Sequence, residues 1–378
     1  MIWQESVVLR VKVSGQHVAD LFEEGDEVVL QYLDNVPEQL AISLTMPVRK
    51  RPYTYFHLHP FFQMHLPEGY LRSVIIRQFA KIHRVDDFGL LMLLAPSFSG
   101  RVQFESSESL DVEPFTLEAL RFEGAELFEA LVQRFALRSP VSGVQPKVLA
   151  TIQDKVTLNV GSYLVKSWGP DFPELALNEY ICLKVCRVAG LAVPNAWLSD
   201  DRKLLIVERF DLNDVGFEDA CVLQGKAPDE KYEGSYERLA KTLSDFASPA
   251  NRRSTLIAYF QTLCVCMKLG NGDAHLKNFG LYYSGLKTAR ISPIFDVVNT
   301  RVYLPQDLPV LTIHGRKRWP DSKQLIQFGT EHCQLSHAEA TTILDNIHEA
   351  IEQTKIWTLG ESGFAEIVEQ HIPEVLGG

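Results

Sequence analysis

The chain has 378 residues, 46% of them hydrophobic, enough apolar material for two or three packed units. Lys and Arg number 37 against 48 Asp and Glu, and a formal charge of −11 argues against holding nucleic acid unaided. No apolar run nears the roughly 18 to 20 residues of a membrane span. The start "MIWQESVVLRVKV" reads as a strand and not a secretory leader, and six cysteines without a C-x-x-C pair read as reduced, buried thiols of a cytoplasmic protein.

In chain order, "SVVLRVKV", "DEVVLQYL" and "LAISLTM" read as short strands, with Ser14 and Gly15 turning the chain after the first. Two helical patterns follow, "EGYLRSVIIRQFAKIH" and "VDDFGLLMLLAP", making a small α+β unit over residues 1–105. Acidic, Ser-rich "ESSESLDVEP" reads as an exposed connection. A second unit, 106–235, opens with the helix "TLEALRFEGAELFEALVQRFA" and continues with the strands "PKVLATI", "KVTLNV" and "SYLVKSW". Next come the amphipathic helix "ELALNEYICLKVCRVAG", stopped at Gly190, and the strand-like runs "AWLSD" and "LLIVERF". Over 236–378 helices dominate: "SYERLAKTLSDFA", "RRSTLIAYFQTLCVCMKLG", "HAEATTILDNIHEAIEQTKI" and "ESGFAEIVEQHI". Strand-rich followed by helix-rich predicts an α+β chain of two lobes with a cleft between them.

The densest polar stretch is "NGDAHLKNFGLYY", 271–283, which sets Asp273, His275, Lys277 and Asn278 between a buried helix and an apolar strand. An isolated Asp in such a loop only bonds local backbone. Here a second acid, Asp296, stands at the end of the apolar strand "ISPIFDVVNT". Acid, amide five residues on, then acid is what phosphoryl transfer to a hydroxyl requires: one carboxylate takes the hydroxyl proton while an amide oxygen and another carboxylate hold Mg²⁺. A kinase also needs a cation in its N-terminal lobe. Lys166, in the apolar strand "YLVKSW", fits that need, and Glu179 on the next helix could pair with it. "VERFD" has the character of a connector offering backbone to adenine, and "SGVQPK", 142–147, is a tight turn where Gly143 permits close approach and Lys147 adds charge.

Taken together, "SGVQPK", "YLVKSW", "NEYICLKVCRVAGL", "VERFD", "KYEGSYERLA", "NGDAHLKNFGLYY" and "ISPIFDVVNT" resemble, in this order, HipA-type toxin kinases. "PFFQMHLPEGYLR" and "DDFGLLMLLA" extend the resemblance into the N-terminal unit. It implies a two-lobed protein-kinase-like fold with an N-terminal α+β subdomain and a helical C-terminal lobe. It also implies Asp273 as catalytic base, and Asn278 and Asp296 as Mg²⁺ ligands. ATP would be held by Ser142, Gly143, Val144, Gln145, Pro146 and Lys147 of the phosphate loop, by Lys166, by Glu208, Arg209 and Phe210 at adenine, and by His275 and Lys277 near the phosphates. The implied partners are a DNA-binding antitoxin of HipB type, through which alone the chain meets DNA, and an aminoacyl-tRNA synthetase as substrate, whose phosphorylation stalls translation. One departure stands out: Pro140 occupies the usual autophosphorylation position, leaving Ser142 and Ser139 as the candidate acceptors.

Two other readings compete. "FHLHPFFQMH" offers His57, His59 and His65 to a metal-dependent hydrolase, but the stretch lacks an acidic partner and reads better as structural or surface histidines. A catalytically silent kinase fold acting as an antitoxin-binding corepressor would have no need of Asp273, Asn278 and Asp296 together.

Overall fold

A computed structural model describes residues 8–69, 72, 76, 86–95, 100–105, 156–160, 162–167 and 172–354. The patterns "EGYLRSVIIRQFAKIH", "TLEALRFEGAELFEALVQRFA", "PKVLATI" and "ESGFAEIVEQHI" lie wholly or largely outside these residues, as do Ser139 and the loop 142–147.

The N-terminal unit is an antiparallel sheet in the order β4-β3-β2-β1-β5. Its strands are β1 (Leu9–Val13), β2 (Gln16–Glu24), β3 (Glu27–Tyr32), β4 (Tyr53–Tyr55) and β5 (Val102–Glu105). Alternation turns Leu9, Val11 and Val13 inward. Ser14 and Gly15, at φ 49° and 77°, form the two-residue turn between β1 and β2, whose positive dihedrals match the twist of a hairpin. Helices α1 (Pro60–Gln63) and α2 (Asp87–Leu94) pack on the sheet, the second capped by Asp86 accepting from the Gly89 amide at 2.9 Å.

"LAISLTM" does not form the expected strand. Ala41, Ile42 and Met46 are fully buried, but the backbone bonds to side chains and joins no ladder. Ile42 N donates to Tyr32 Oη at 2.8 Å, Tyr32 Oη donates to Met46 O at 2.7 Å, and Leu44 N donates to Glu218 Oε1 at 2.6 Å. These partners meet the backbone's requirement as a neighbouring strand would.

The second sheet, β6-β7-β9-β8, is antiparallel and comprises β6 (Val156–Val160), β7 (Tyr163–Ser167), β8 (Ala196–Leu198) and β9 (Leu205–Glu208). Helix α3 (Leu175–Val188) packs on one face. Period-two alternation divides the two faces. Val165, Leu204 and Ile206 join the core of the N-terminal sheet, while Leu205 and Val207 meet Ala176 and Leu183 of α3. One continuous core therefore ties the N-terminal unit to this sheet.

The remaining strands, β10 (Gly216–Asp219), β11 (Gly280–Tyr283) and β12 (Arg290–Ile291), form a small antiparallel sheet beside the helices. Those helices are α4 (Ala220–Leu223), α5 (Tyr236–Phe246), α6 (Arg252–Lys268), α7 (Ser322–His332) and α8 (His337–Gln353). Their core gathers Tyr236, Tyr259, Phe260, Phe279 and Phe328, all at most 2% exposed. Asp296 does not end an apolar strand as expected, because β12 stops after two residues. Pro293 lacks a ladder donor, and Ile294 N donates instead to Ala192 O at 2.8 Å, so 292–299 runs as a loop.

Candidate active site

Lys166 is placed by the pleat. With Val165 turned into the N-terminal core, its neighbour must face α3, and only 5% of Lys166 remains exposed. A lone ammonium so buried would cost several kcal/mol. Two carboxylates meet it: Glu179 Oε1 at 2.5 Å and Asp296 Oδ1 at 2.8 Å. Glu179 lies three residues after Ala176 and four before Leu183, on the helix face that packs against the sheet.

The Asp296 loop is clipped to the same helix. Asn178 Nδ2 donates to Asn299 O, and Asn299 N donates to Asn178 Oδ1, both at 3.0 Å. Asp296 itself sits at φ 58°, a left-handed conformation that short polar residues tolerate but that costs free energy and concentrates at functional sites. Its second oxygen, Oδ2, accepts from Asn278 Nδ2 at 2.9 Å, and Asn278 Oδ1 accepts from the His275 amide at 2.9 Å. Lys166 and Asn278, read separately from sequence, thus both touch Asp296, one at each carboxylate oxygen.

Asp273 is carried on a loop fixed through its backbone. Helix α6 ends with Gly270 at φ 67°, and Asn271 N closes the turn onto Cys266 O at 2.9 Å. Gly272 N donates to Thr300 Oγ1 and Val310 N donates to Gly272 O, both at 2.9 Å. Tyr236 Oη holds Ala274 O at 3.0 Å. Asn271, Ala274, His275, Leu276 and Asn278 are all buried, whereas Asp273 is exposed and reachable by a macromolecule.

The other expected residues are placed as follows. His275 packs its ring on Tyr232, with centroids 5.4 Å apart. Lys277 turns to the N-terminal unit, 2.6 Å from Glu68 Oε1 and 3.6 Å from Asp219 Oδ2. Burial pushes its ammonium down, but Asp219 and Glu68 outweigh this and raise its pKa. Burial pushes Glu68 up, yet Lys277 and then Lys231 hold it below the ordinary carboxylate value. Glu208 accepts from Asn195 Nδ2 at 2.8 Å, and Arg209 pairs with both Asp211 oxygens at 2.9 Å. Phe210 lies 5.4 Å from Phe217 and 5.7 Å from Phe295, joining the connector to the residue before Asp296.

Sequence reasoning missed Glu68, Asn178, Asp219 and Thr300, because each acts on a partner remote in the chain and no spacing marks it. In the histidine stretch His57 is exposed, and the other two serve packing. His59 Nδ1 accepts from the Phe61 amide at 3.1 Å, and His65, its pKa lowered to about 4 by burial, lies against Phe61 and Phe104. Among the described residues no three His, Cys, Asp or Glu gather as a metal cluster, and no helix is long and apolar enough to cross a membrane. All six cysteines are buried and free.

The donors around Asp296 suit Mg²⁺. Lys166, Glu179 and Asp296 sum to one net negative charge. Asn278 Oδ1 and the two Asp296 oxygens, each accepting one of the hydrogen bonds above, are donors of the hard kind that such a cation takes.

A family model described as the HipA-like C-terminal domain matches residues 139–355, and one described as the HipA N-terminal domain matches 9–105. Two proteins of Sinorhizobium fredii named putative kinases, Y4dM and Y4mE, are similar. Y4dM is 27% identical, with 97% of each chain covered. Y4mE is 25% identical over 74% of this chain and 73% of its own. The HipA of Shewanella oneidensis MR-1, solved with HipB and its operator DNA, superimposes with a TM-score of 0.71 at 19% identity. That match spans 98% of this chain and 96% of the other, so the mixed helix-and-sheet fold is that of HipA.

Proposed function

The chain belongs to the HipA family of kinases, and from that premise we propose a serine/threonine protein kinase that moves the ATP γ-phosphoryl group to a protein hydroxyl with Mg²⁺ as cofactor. The observation that carries this reading is the buried Lys166 bridging Glu179 and Asp296, with Asn278 on the second Asp296 oxygen. Four separate segments thus supply candidates for the cation, the helix glutamate and the metal ligands that phosphoryl transfer uses.

In this reading Lys166, oriented by Glu179, binds the nucleotide phosphates, and Asn278 and Asp296 hold Mg²⁺. The bound ion supplies charge neutralisation of the phosphates. Asp273 accepts the proton of the acceptor hydroxyl as it attacks. Its exposure on an anchored loop suits an acceptor that arrives on another protein. Residues 142–147 complete the phosphate cradle, Glu208 to Phe210 face adenine, and His275 and Lys277 support the phosphate side. Ser142, or else Ser139, is the site of self-inactivation, because a phosphate there would add about −1.5 to −2 charges beside ATP. The units are 1–105, 106–235 and 236–378.

The partners follow from the relatives and from charge. The Shewanella HipA was solved with HipB and operator DNA. A chain of net charge −11 then meets DNA through a HipB-type antitoxin. The substrate is an aminoacyl-tRNA synthetase, and its modification inhibits translation in the cytoplasm.

Radiolabel transfer from Mg-ATP tests the chemistry. Asp273→Asn should lose transfer by about a hundredfold or more while ATP affinity stays within about twofold. Asp296→Ala should weaken Mg-ATP binding itself. Undiminished transfer by Asp273→Asn removes that residue from the role of base.

A further inference from the structure

Glu68 belongs to the N-terminal unit, yet its carboxylate reaches two turns beside the catalytic loop. Oε1 lies 2.6 Å from Lys277 Nζ, and Oε2 lies 2.9 Å from Lys231 Nζ. Lys277 is on the 3₁₀ turn Leu276–Asn278, and Lys231 is on the 3₁₀ turn Pro228–Tyr232. The first turn ends in the metal-ligand candidate Asn278. The second ends in Tyr232, whose ring packs on His275.

The bridge is not what docks the N-terminal unit. That unit shares a core with Val165, Leu204, Ile206 and Val222. It is further joined to β10 by Ser43 Oγ and Leu44 N on Glu218, at 2.7 and 2.6 Å. Glu68, with a side chain 39% exposed, adds little to such an interface. Its effect is local. Without it Lys277, 16% exposed, would keep Asp219 at 3.6 Å as its carboxylate neighbour among the described contacts. Asp219 is already engaged in capping α4 through the Val222 amide at 3.0 Å. Lys277 and Asn278 are adjacent on one turn, so a shift of that turn as the lysine re-seats would also displace the amide proposed to bind the metal.

We propose that Glu68 is a positioning residue for phosphoryl transfer, bridging Lys277 and Lys231 so that the N-terminal unit sets the geometry of the catalytic loop. The inference rests on the kinase reading above. It makes the N-terminal unit part of the transfer machinery.

The test uses full-length wild type, Glu68→Gln, Glu68→Asp, Lys277→Gln and the Glu68→Gln/Lys277→Gln pair. Label incorporation from Mg-[γ-³²P]ATP is followed into the chain itself and into an added nucleotide-free bacterial extract, with ATP affinity and thermal midpoint measured alongside. Glu68→Gln, nearly isosteric, should lower the rate of label transfer by about tenfold and weaken Mg-ATP binding several-fold, while the thermal midpoint stays near that of wild type. Glu68→Asp should recover part of the rate, and the double variant should lose less than the sum of the two single losses, since both changes break the Glu68–Lys277 contact. A wild-type rate for Glu68→Gln, additive losses in the double variant, or a loss matched by an equal fall in thermal midpoint would each overturn the positioning role. A wild-type chain that labels nothing would instead overturn the kinase reading, and this inference with it.

Discussion

Lys166 has two roles that substitution can separate. Its ammonium neutralises Glu179, which is 0% exposed, and also stands against Asp296 in the proposed phosphate site. Removing one partner of a buried pair typically costs about 3–5 kcal/mol, whereas replacing both by apolar groups of similar size is often neutral. Lys166→Met should therefore lower thermal stability and ATP affinity together. Lys166→Met/Glu179→Leu should regain most of the stability, read by thermal melting, with no recovery of ATP affinity, read by titration. Recovery of both would show that the lysine is structural only. The same residue shows what a sequence conveys at this scale. An apolar strand interrupted by one lysine announces that anionic partners exist, and Glu179 is within reach of the same pattern because it follows on the next helix. Glu68, the partner of Lys277, is not, since the pairing depends on how two units dock and leaves no local trace.

Among the elements, β7 and α3 are legible because their apolar residues recur at periods of 2 and 3.6, and the faces so defined fix where Lys166 and Glu179 point. The acid-rich β2, the side-chain-bonded segment 41–46 and the short β12 are not. Strand β2 pairs with its neighbours β1 and β3, but its charged residues mask the apolar alternation, whereas segment 41–46 and the loop after β12 bond to the remote partners Glu218 and Ala192. The loop 142–147 lies outside the described residues, so its expected place at the phosphates remains part of the proposal. The catalytic loop is legible in composition but not in its fastening. Gly272 illustrates this: a Cβ there would lie 2.0 Å from Asp307 Oδ2 and 2.9 Å from Thr300 Oγ1. Asp307 is itself hydrogen-bonded by Thr300. Gly272→Ala should thus push apart the loop and the 300–310 segment, at a cost of about 1–3 kcal/mol. A lowered thermal midpoint and reduced label transfer are expected, and adding Asp307→Ala should restore part of the midpoint by clearing the nearest atoms. An unaltered Gly272→Ala protein would mean that the two segments are free to separate.

At the scale of the molecule, the N-terminal sheet and the helical lobe meet at a carboxylate. Glu218 is 0% exposed on β10 and accepts from Ser43 Oγ, Leu44 N and Tyr283 Oη, so one side chain closes the junction between the units. Arg101 completes it from β5's approach, donating to Ala41 O at 2.8 Å and Gln39 O at 2.7 Å with its guanidinium over the Tyr283 ring. Burial lifts the Glu218 pKa from 4.5 to about 7, the three hydrogen bonds pulling it back only in part and Asp219 adding to the rise. The folded chain therefore keeps a proton that the unfolded chain releases above pH 4.5. The associated stability is fully present below 4.5 and is lost as pH rises through about 7. The slope from this one group is at most about 1.4 kcal/mol per pH unit. Glu218→Gln keeps the shape, and its amide oxygen accepts from Leu44 N and Tyr283 Oη while its NH₂ donates to Ser43 Oγ. The variant should match wild type near pH 5 and exceed it in thermal midpoint near pH 8, with a flatter profile between. A wild-type profile of the same slope in the variant would assign the pH dependence elsewhere. A variant less stable at every pH would mean that the junction needs the acid group itself. Because the N-terminal unit also carries Glu68 to the catalytic loop, label transfer at high pH, where the ionised Glu218 strains the junction, should fall more steeply in wild type than in Glu218→Gln.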